Sequence, residues 1–454
     1  MGRRQPHLHD RPGHRGFPRR NPAEFLGRPA RRRVMPATQA TPGVLNFGCR
    51  LNAYEGEAIR TALGKHGRDD IVVVNTCAVT AEAEKQARQA IRRLRRERPD
   101  ARIVVTGCAA QVNAGAFSAM PEVDHVIGNR EKLSENLWRD LGNDSSRVVV
   151  GDILLDAPAA LPAVSHFPGR PRAYLEIQQG CDHRCTFCII PYGRGPSRSL
   201  PLGAVVEQAR ALVERGYREF VLTGVDITSY GQDLPGRPTL GNAVRRLLDL
   251  VPGLERLRFS SLDPAEIDDD LLRLYADEPR VMPHAHLSLQ AGDDLILKRM
   301  KRRHSRAQAL EMAQRLQSLR PGIALGADLI AGFPTESEAA FENSRSLIDE
   351  AGLAFVHVFP YSPRPGTPAA RMPQLPVELR KARAAILRQT ADAALERFLS
   401  LRIGVEAQIL VEQAGMGRDE TYAPVVLPDH MTKGSIVAAR IAAVRDGKLW
   451  LDAA

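Results

Sequence analysis

The stretch Glu176-Ile-Gln-Gln-Gly-Cys181-Asp-His-Arg-Cys185-Thr-Phe-Cys188-Ile-Ile-Pro-Tyr192 decides how this chain is read. Its Cys-x3-Cys-x2-Cys spacing puts three thiolates within reach of one metal centre. Structural zinc usually takes four ligands, and no fourth Cys or His follows at finger spacing. His183 lies inside the triplet, crowded by its neighbours, and reads as a loop residue. Three thiolates suit a 4Fe–4S cluster with one iron left open, and an open iron can hold a small molecule by its amine and carboxylate.

Working outward, residues 174–179 just before the triplet are strand-like, and the pattern repeats at 219–225, 256–261, 284–290, 324–331 and 355–361. Helical periodicity falls between them, at 203–215, 240–250, 267–276, 306–319 and 336–351. Six βα units predict a partial, open (β/α)6 barrel, whose active site lies at the carboxyl ends of the strands. The cysteine loop follows the first strand and belongs on that rim. So do Thr223-Gly224-Val225-Asp226, Ser260-Ser261, Ser288-Leu289-Gln290 and Gly332-Phe333-Pro334. There, Gly permits close backbone approach and the polar side chains offer donors and acceptors.

The other three cysteines occupy matching places upstream. Val44–Phe47 leads to Gly48-Cys49, Ile71–Thr76 to Cys77, and Arg102–Gly107 to Cys108, with helical stretches at 52–66 and 79–98 between them. Strand, helix, strand, helix, strand predicts a parallel α/β sheet with right-handed crossovers. Its strand ends share one edge. Cys49, Cys77 and Cys108 therefore converge although 28 and 31 residues separate them. One such cysteine would be an ordinary buried thiol. Three at equivalent strand ends predict a second three-thiolate cluster. Six sparse cysteines in a long chain without a secretory signal argue against a disulfide framework.

The composition is globular, with 43% hydrophobic and 26% charged residues among 454. No apolar run approaches the roughly 20 residues of a membrane span, so no membrane partner is expected. Of the net charge of +10, residues 1–34 supply +8, from ten Arg against Asp10 and Glu24. Residues 1–42 are expected to be a basic disordered tail, with Met35 as an alternative start. Basic clusters also occur in the 79–98 helix (Lys85, Arg88, Arg92, Arg93, Arg95, Arg96, Arg98) and at 298–306 (Lys298, Arg299, Lys301, Arg302, Arg303, Arg306). Both could neutralise phosphates, or form solvated faces. After an Arg-rich helix at 378–402, short strands at Val405–Val411, Thr421–Val426, Ser435–Ala443 and Leu449–Asp452, with an Asp446-Gly447 hairpin signal, predict a small β-barrel. Five basic residues against seven acids over 404–454 favour shape or packing over RNA grip there.

The triplet loop and rim loops together resemble the radical S-adenosylmethionine superfamily. Asn-Thr-Cys77-Ala-Val-Thr, Thr-Gly-Cys108-Ala-Ala-Gln, Glu-Ile-Gln-Gln-Gly-Cys181 and Ala-Gly-Phe-Pro-Thr-Glu336 are similar to the methylthiotransferase family, over about residues 43–454. The resemblance implies three domains after the tail: 43–160 with an auxiliary cluster, a radical core at 168–398, and a TRAM-like β-barrel at 400–454. It implies two 4Fe–4S clusters, on Cys49, Cys77 and Cys108 and on Cys181, Cys185 and Cys188, with S-adenosylmethionine on the open iron of the second. Phe187 would pack near the adenine and Gly224-Val225-Asp226 near the methionyl amine, although the usual Gly-Gly-Glu is altered. Ser261, Ser288 and Gln290 complete the expected cofactor contacts.

Gly48-Cys49-Arg50-Leu51-Asn52-Ala53-Tyr54-Glu55 and Phe359-Pro-Tyr-Ser-Pro-Arg-Pro-Gly-Thr367 resemble the MtaB-type branch. That branch implies methylthiolation at C2 of N6-threonylcarbamoyladenosine 37 of tRNA, with the anticodon stem-loop and an electron-donor protein as partners, in the cytoplasm. One cofactor molecule would methylate the sulfur and another would make the radical. Arg50 and Arg194 are the candidates for the substrate carboxylate. Competing readings are the isopentenyladenosine branch, the ribosomal-protein aspartate branch, and a non-enzymatic zinc- and RNA-binding protein.

Overall fold

Each of the first three cysteines closes a strand of one parallel sheet. A computed structural model describes residues 43–142, 145–155, 164 and 166–452; the basic tail at 1–42 lies outside the described residues. Strands β1 (Gly43–Asn46), β2 (Ile71–Thr76), β3 (Arg102–Gly107), β4 (His125–Ile127) and β5 (Val148–Val149) pair in that order, all parallel. All of β2 is buried, as a near-continuous apolar run covered on both faces should be. Helices α1 (Arg50–Lys65) and α2 (Ala81–Glu97) make the expected crossovers. Thr80 starts α2 by accepting the N–H of Ala83 at 3.2 Å, a cap that contributes about 1 kcal/mol. The sheet has two more strands than the sequence pattern predicts. They are only three and two residues long, too short to show periodicity.

The second unit is the predicted partial barrel. Strands β6 (Ala173–Glu176), β7 (Glu219–Thr223) and β8 (Arg256–Phe259) pair in parallel, as do β9 (His284–Gln290), β10 (Ala324–Ala331) and β11 (Leu353–Pro360). Parallel bridges Leu257↔Val281 and Leu262↔Leu287 join the two halves. The intervening helices, Leu202–Glu214, Leu240–Leu250, Asp269–Asp277, Arg306–Leu319 and Glu338–Glu350, lie within two residues of their predicted bounds. Thr239, Asp268, Ser305 and Ser337 cap four of them through their side-chain oxygens. A helix at Asp294–Met300, capped by Asp293, was not legible in the basic segment it occupies.

Sheet and barrel share a core. Tyr54 and Ala58 of α1 belong to the same buried cluster as Leu175, Phe220, Leu257 and Leu287. The Tyr54 hydroxyl accepts from Gln208 Nε2 at 2.9 Å.

Beyond the long helix Val377–Ser400, strands β12 (Glu406–Gln413), β13 (Met416–Arg418), β14 (Pro424–Val426), β15 (Ile436–Arg445) and β16 (Lys448–Leu451) close a small barrel in the order β12-β13-β14-β16-β15. Asp446 and Gly447 both have positive φ, 51° and 66°, the two-residue hairpin that Asp-Gly predicts. Three of the seven acids of this segment are engaged in packing. Glu412 pairs with Arg172, while Asp419 and Glu420 pair with Arg402. Arg258 donates to the Asp419 carbonyl at 3.0 Å and Arg256 to that of Gln408 at 2.7 Å. Arg172, Arg256 and Arg258 also surround buried Glu219 at 2.7, 3.4 and 2.8 Å.

Candidate active site

The downstream triplet sits in a loop pinned at its base by antiparallel pairing of Gln178–Gln179 with Arg198–Ser199. Gly180 precedes Cys181 at φ 69°, and a Cβ there would meet the Pro196 carbonyl oxygen at 1.9 Å, so only glycine fits. Cys181 Sγ lies 3.8 Å from Asp226 Oδ2, and Arg302 Nη1 lies 3.7 Å from Cys185 Sγ. Burial pushes the Cys188 thiol up to about 12 and raises Cys181, which the Asp226 charge raises further. Arg302 also holds Asp263 at 2.8 Å and the Ser288 carbonyl at 2.7 Å, tying the rim of β9 to the triplet.

The upstream cysteines converge as the strand pattern predicts. A Cβ on Gly48 would lie 2.6 Å from both Cβ and Sγ of Cys77, so the backbone entering Cys49 packs directly on Cys77. Burial raises Cys77 to about 12, and the Cys108 and Cys49 charges add to the shift. Cys108 also neighbours the other triplet: the Gly193 Cα packs over it, with an added Cβ 3.2 Å from Cys108 Cβ. Gly193 belongs to helix Ile190–Arg194, two residues past Cys188. Asn129 Nδ2 lies 3.5 Å from Cys108 Sγ and donates to the Gly193 carbonyl.

A buried ionic network links the flanks of both triplets. Glu55 takes Arg194 through both oxygens at 2.9 Å, Lys132 at 2.8 Å and Gln179 Nε2 at 2.9 Å. Arg194 also donates to Asn52 Oδ1 at 2.6 Å and Gln179 Oε1 at 2.9 Å. Asn52 Nδ2 in turn donates to the carbonyls of Phe47 and Thr76. Residues close to Cys49, Cys77 and Cys181, and Arg194 six residues past Cys188, are thus in one hydrogen-bonded assembly. The sequence signal for it was slight, because Glu55 and Lys132 are 77 residues apart and Glu55 and Arg194 are 139 apart.

This assembly corrects one expectation. Arg194 is 2% exposed and committed to Glu55, Asn52 and Gln179, so it is a structural cation and not a contact for a substrate carboxylate. Arg50 begins α1 half-buried and donates to the Ser260 carbonyl at 3.3 Å, reaching from the sheet to the barrel rim. A second correction concerns the arginines at 298–306. Arg299 binds Thr335, Arg302 binds Asp263, Arg303 binds Glu266, and Arg306 binds Glu350. These four arginines are engaged within the fold, whereas Lys298 and Lys301 are exposed. On α2, Arg88 and Arg95 are drawn to Glu84 and Asp124, while Lys85, Arg92, Arg93, Arg96 and Arg98 remain exposed.

The expected cofactor residues line the same rim. A Cβ on Gly224 would meet the Gln178 carbonyl at 2.7 Å, and Gln178 Oε1 accepts the N–H groups of Val225 and Asp226 at 3.0 and 2.8 Å. Asp226 accepts from Thr228 and Ser229 and faces His183 Nε2 at 2.9 Å. Asp226 and Glu266 raise His183 to about 10. His183 is therefore an anchored cation of the loop. Phe187 packs against Ala291, Ile330, Phe333 and Tyr361. Ser261 follows β8 half-buried, and Ser288 lies on β9. Gln290 has φ 72°, where the β9–β10 register shifts, a sparsely populated conformation for a non-glycine residue. Thr335, in the Gly332-Phe333-Pro334 loop, has φ 67°.

The donor sets fit two iron–sulfur clusters. All six cysteines are free thiols, and each triplet is all-sulfur, the set preferred by iron–sulfur clusters. Raised thiols are neutral when unliganded, so metal binding would displace their protons.

Comparison with known proteins agrees with this geometry. Residues 175–348 match the radical SAM superfamily and residues 42–128 the uncharacterized protein family UPF0004. The chain is 50% identical to the threonylcarbamoyladenosine tRNA methylthiotransferase MtaB of Rickettsia prowazekii over 89% of this chain and 95% of that protein. It is 35% identical to MtaB of Bacillus subtilis, over 87% and 90%. The tRNA-2-methylthio-N(6)-dimethylallyladenosine synthase of Cereibacter sphaeroides is 36% identical over 88% and 95%. The radical S-adenosylmethionine methyltransferase TsrM of Kitasatospora setae shares the fold, with a TM-score of 0.50 and 16% identity over 70% and 72% of the two chains. Parallel sheet, partial barrel, two cysteine triplets and full-length relatives converge on one assignment: this chain belongs to the radical SAM methylthiotransferase family of enzymes.

Proposed function

We propose that this enzyme adds a methylthio group to C2 of N6-threonylcarbamoyladenosine at position 37 of tRNA, using two 4Fe–4S clusters and S-adenosylmethionine. The observation that carries this reading is the contact of Cys108 with the helix that follows Cys188. It supports a second all-thiolate site beside the radical triplet, as a reaction that both opens a C–H bond and delivers sulfur requires. The 50% identical MtaB relative supports the nucleoside. With the clusters and S-adenosylmethionine bound, they supply the one-electron chemistry and the sulfur that no side chain offers.

The chain's own residues hold and orient. Cys181, Cys185 and Cys188 would ligate the radical cluster. The Gly224–Asp226 turn, Ser261, Ser288, Gln290 and Phe187 would seat S-adenosylmethionine. Cys49, Cys77 and Cys108 would ligate the auxiliary cluster, and the Glu55–Arg194 assembly keeps the two sites at fixed separation. The exposed cations of α2 would meet the anticodon stem-loop, the closed C-terminal barrel is read as a TRAM domain, and an electron-donor protein in the cytoplasm would reduce the clusters. The test is nucleoside mass spectrometry of tRNA from a deletion strain. Threonylcarbamoyladenosine should accumulate without its methylthio derivative and be converted when the gene is restored. Loss of the methylthio mark from isopentenyladenosine instead would refute the assignment.

A further inference from the structure

Below the cofactor rim the inner wall of the barrel carries a polar group that no step above uses. His286 Nε2 lies 3.1 Å and His357 Nδ1 3.2 Å from the same oxygen, Asp328 Oδ1. The two imidazoles face each other with centroids 5.1 Å apart. Exposure is graded across the trio, with side chains 9%, 29% and 62% exposed for His286, Asp328 and His357. One end is therefore embedded in the wall and the other is open. The wall is shaped for it: a Cβ on Gly326 would meet His286 Nδ1 at 2.8 Å and the Phe355 carbonyl at 3.0 Å. Burial opposes ionisation of Asp328, but its hydrogen bonds from the two imidazoles hold it well below the usual carboxylate range.

The location bears on substrate. His286 lies two residues along β9 from Ser288, whose carbonyl is gripped by the arginine that touches Cys185. Side chains two apart share a face and are about 6.5–7 Å apart along a strand. Two residues toward the rim from His357 on β11 is Phe359, 40% exposed, a flat apolar surface of the kind on which bases stack. A base against Phe359 would direct a substituent toward His357. With Nδ1–H given to Asp328, His357 Nε2 is the free atom. It accepts from a hydroxyl when neutral and donates to a carboxylate when protonated.

We propose that His357, oriented by Asp328 and backed by His286, recognises the polar N6 substituent of the substrate adenosine through its hydroxyl and carboxylate. This rests on the reading that the substrate carries a threonylcarbamoyl group. A hydrocarbon substituent would leave His357 Nε2 desolvated and unpaired, which sites of this kind reject strongly.

The test measures binding of anticodon stem-loops to the anaerobic holoenzyme by fluorescence anisotropy, with threonylcarbamoyladenosine or plain adenosine at position 37. The wild-type protein should prefer the modified loop by roughly 10- to 100-fold, the size of a hydrogen bond to a charged group. His357→Leu, at an exposed position, should reduce the preference to about threefold or less while affinity for the plain loop holds. Asp328→Asn should reduce it in the same sense. An undiminished preference in His357→Leu overturns the proposal and leaves the functional reading intact. A wild-type protein with no preference overturns the functional reading itself. Zinc or cobalt bound one per chain beyond the clusters, and lost in Asp328→Asn, would make the trio a metal centre and also overturn the proposal.

Discussion

Replacing Glu55 with Gln removes the anion that balances two buried cations. Glu55, Lys132 and Arg194 are 1%, 1% and 2% exposed, so the remaining charges cannot turn to water. The other nearby acid, Glu176, is pushed well above the usual carboxylate range by burial and by Glu55. Glu55 is the acid bonded to both cations. Breaking a buried pair from one side costs about 3–5 kcal/mol. A second route gives the same size. Against the opposing effect of burial, Arg194 and Lys132 hold Glu55 at about 2, compared with 4.5 for a free glutamate. At about 1.4 kcal/mol per unit, that is roughly 3 kcal/mol. Because the folded value is depressed, this stabilisation is complete above about pH 4.5 and is lost as pH falls through about 2. Lys132→Met should cost less, since it leaves a neutral Glu55–Arg194 pair. Urea unfolding of the cluster-free protein at pH 7 can be followed at Trp138, which is buried and donates to the Lys132 carbonyl at 2.7 Å. Glu55→Gln within about 0.5 kcal/mol of wild type, or Lys132→Met as damaging as Glu55→Gln, would refute this account of the network.

Alanine at Cys181, Cys185 or Cys188 should abolish 5′-deoxyadenosine formation. Alanine at Cys49, Cys77 or Cys108 should abolish thiolation and leave cofactor cleavage measurable. Iron per chain should fall by about half in each class, and unchanged iron in either would remove that triplet from the cluster assignment. Arg50→Leu, which severs the link from α1 to the Ser260 carbonyl, should lower turnover on threonylcarbamoyl-modified tRNA while iron content stays constant. Full activity would leave Arg50 without a part in substrate handling.

Much of this architecture is written locally. The apolar runs before Cys49, Cys77 and Cys108 and the alternation of strand and helix from 174 to 361 state a parallel sheet and a partial barrel. Each is a period over consecutive residues. Asp446-Gly447 states its hairpin in two residues. The strand at Met416–Arg418 was silent because its three residues, with glycine in the middle, show no alternation. The grouping of the cysteines followed from topology, which places strand ends on one edge. Charge assignments did not follow. Arg194 reads as a free cation near a cluster and is in fact neutralised by a glutamate 139 residues away. Arg302, Arg303 and Arg306 read as a phosphate surface and are paired with acids 37 to 44 residues distant. The trio of His286, Asp328 and His357 comes from three separate strands. Periodicity is a property of the chain and survives without knowledge of the fold, so the sequence alone determined the elements and the two cysteine triplets. The partner of a charge is whichever residue the packed fold brings within about 3 Å, and only the tertiary structure decided that.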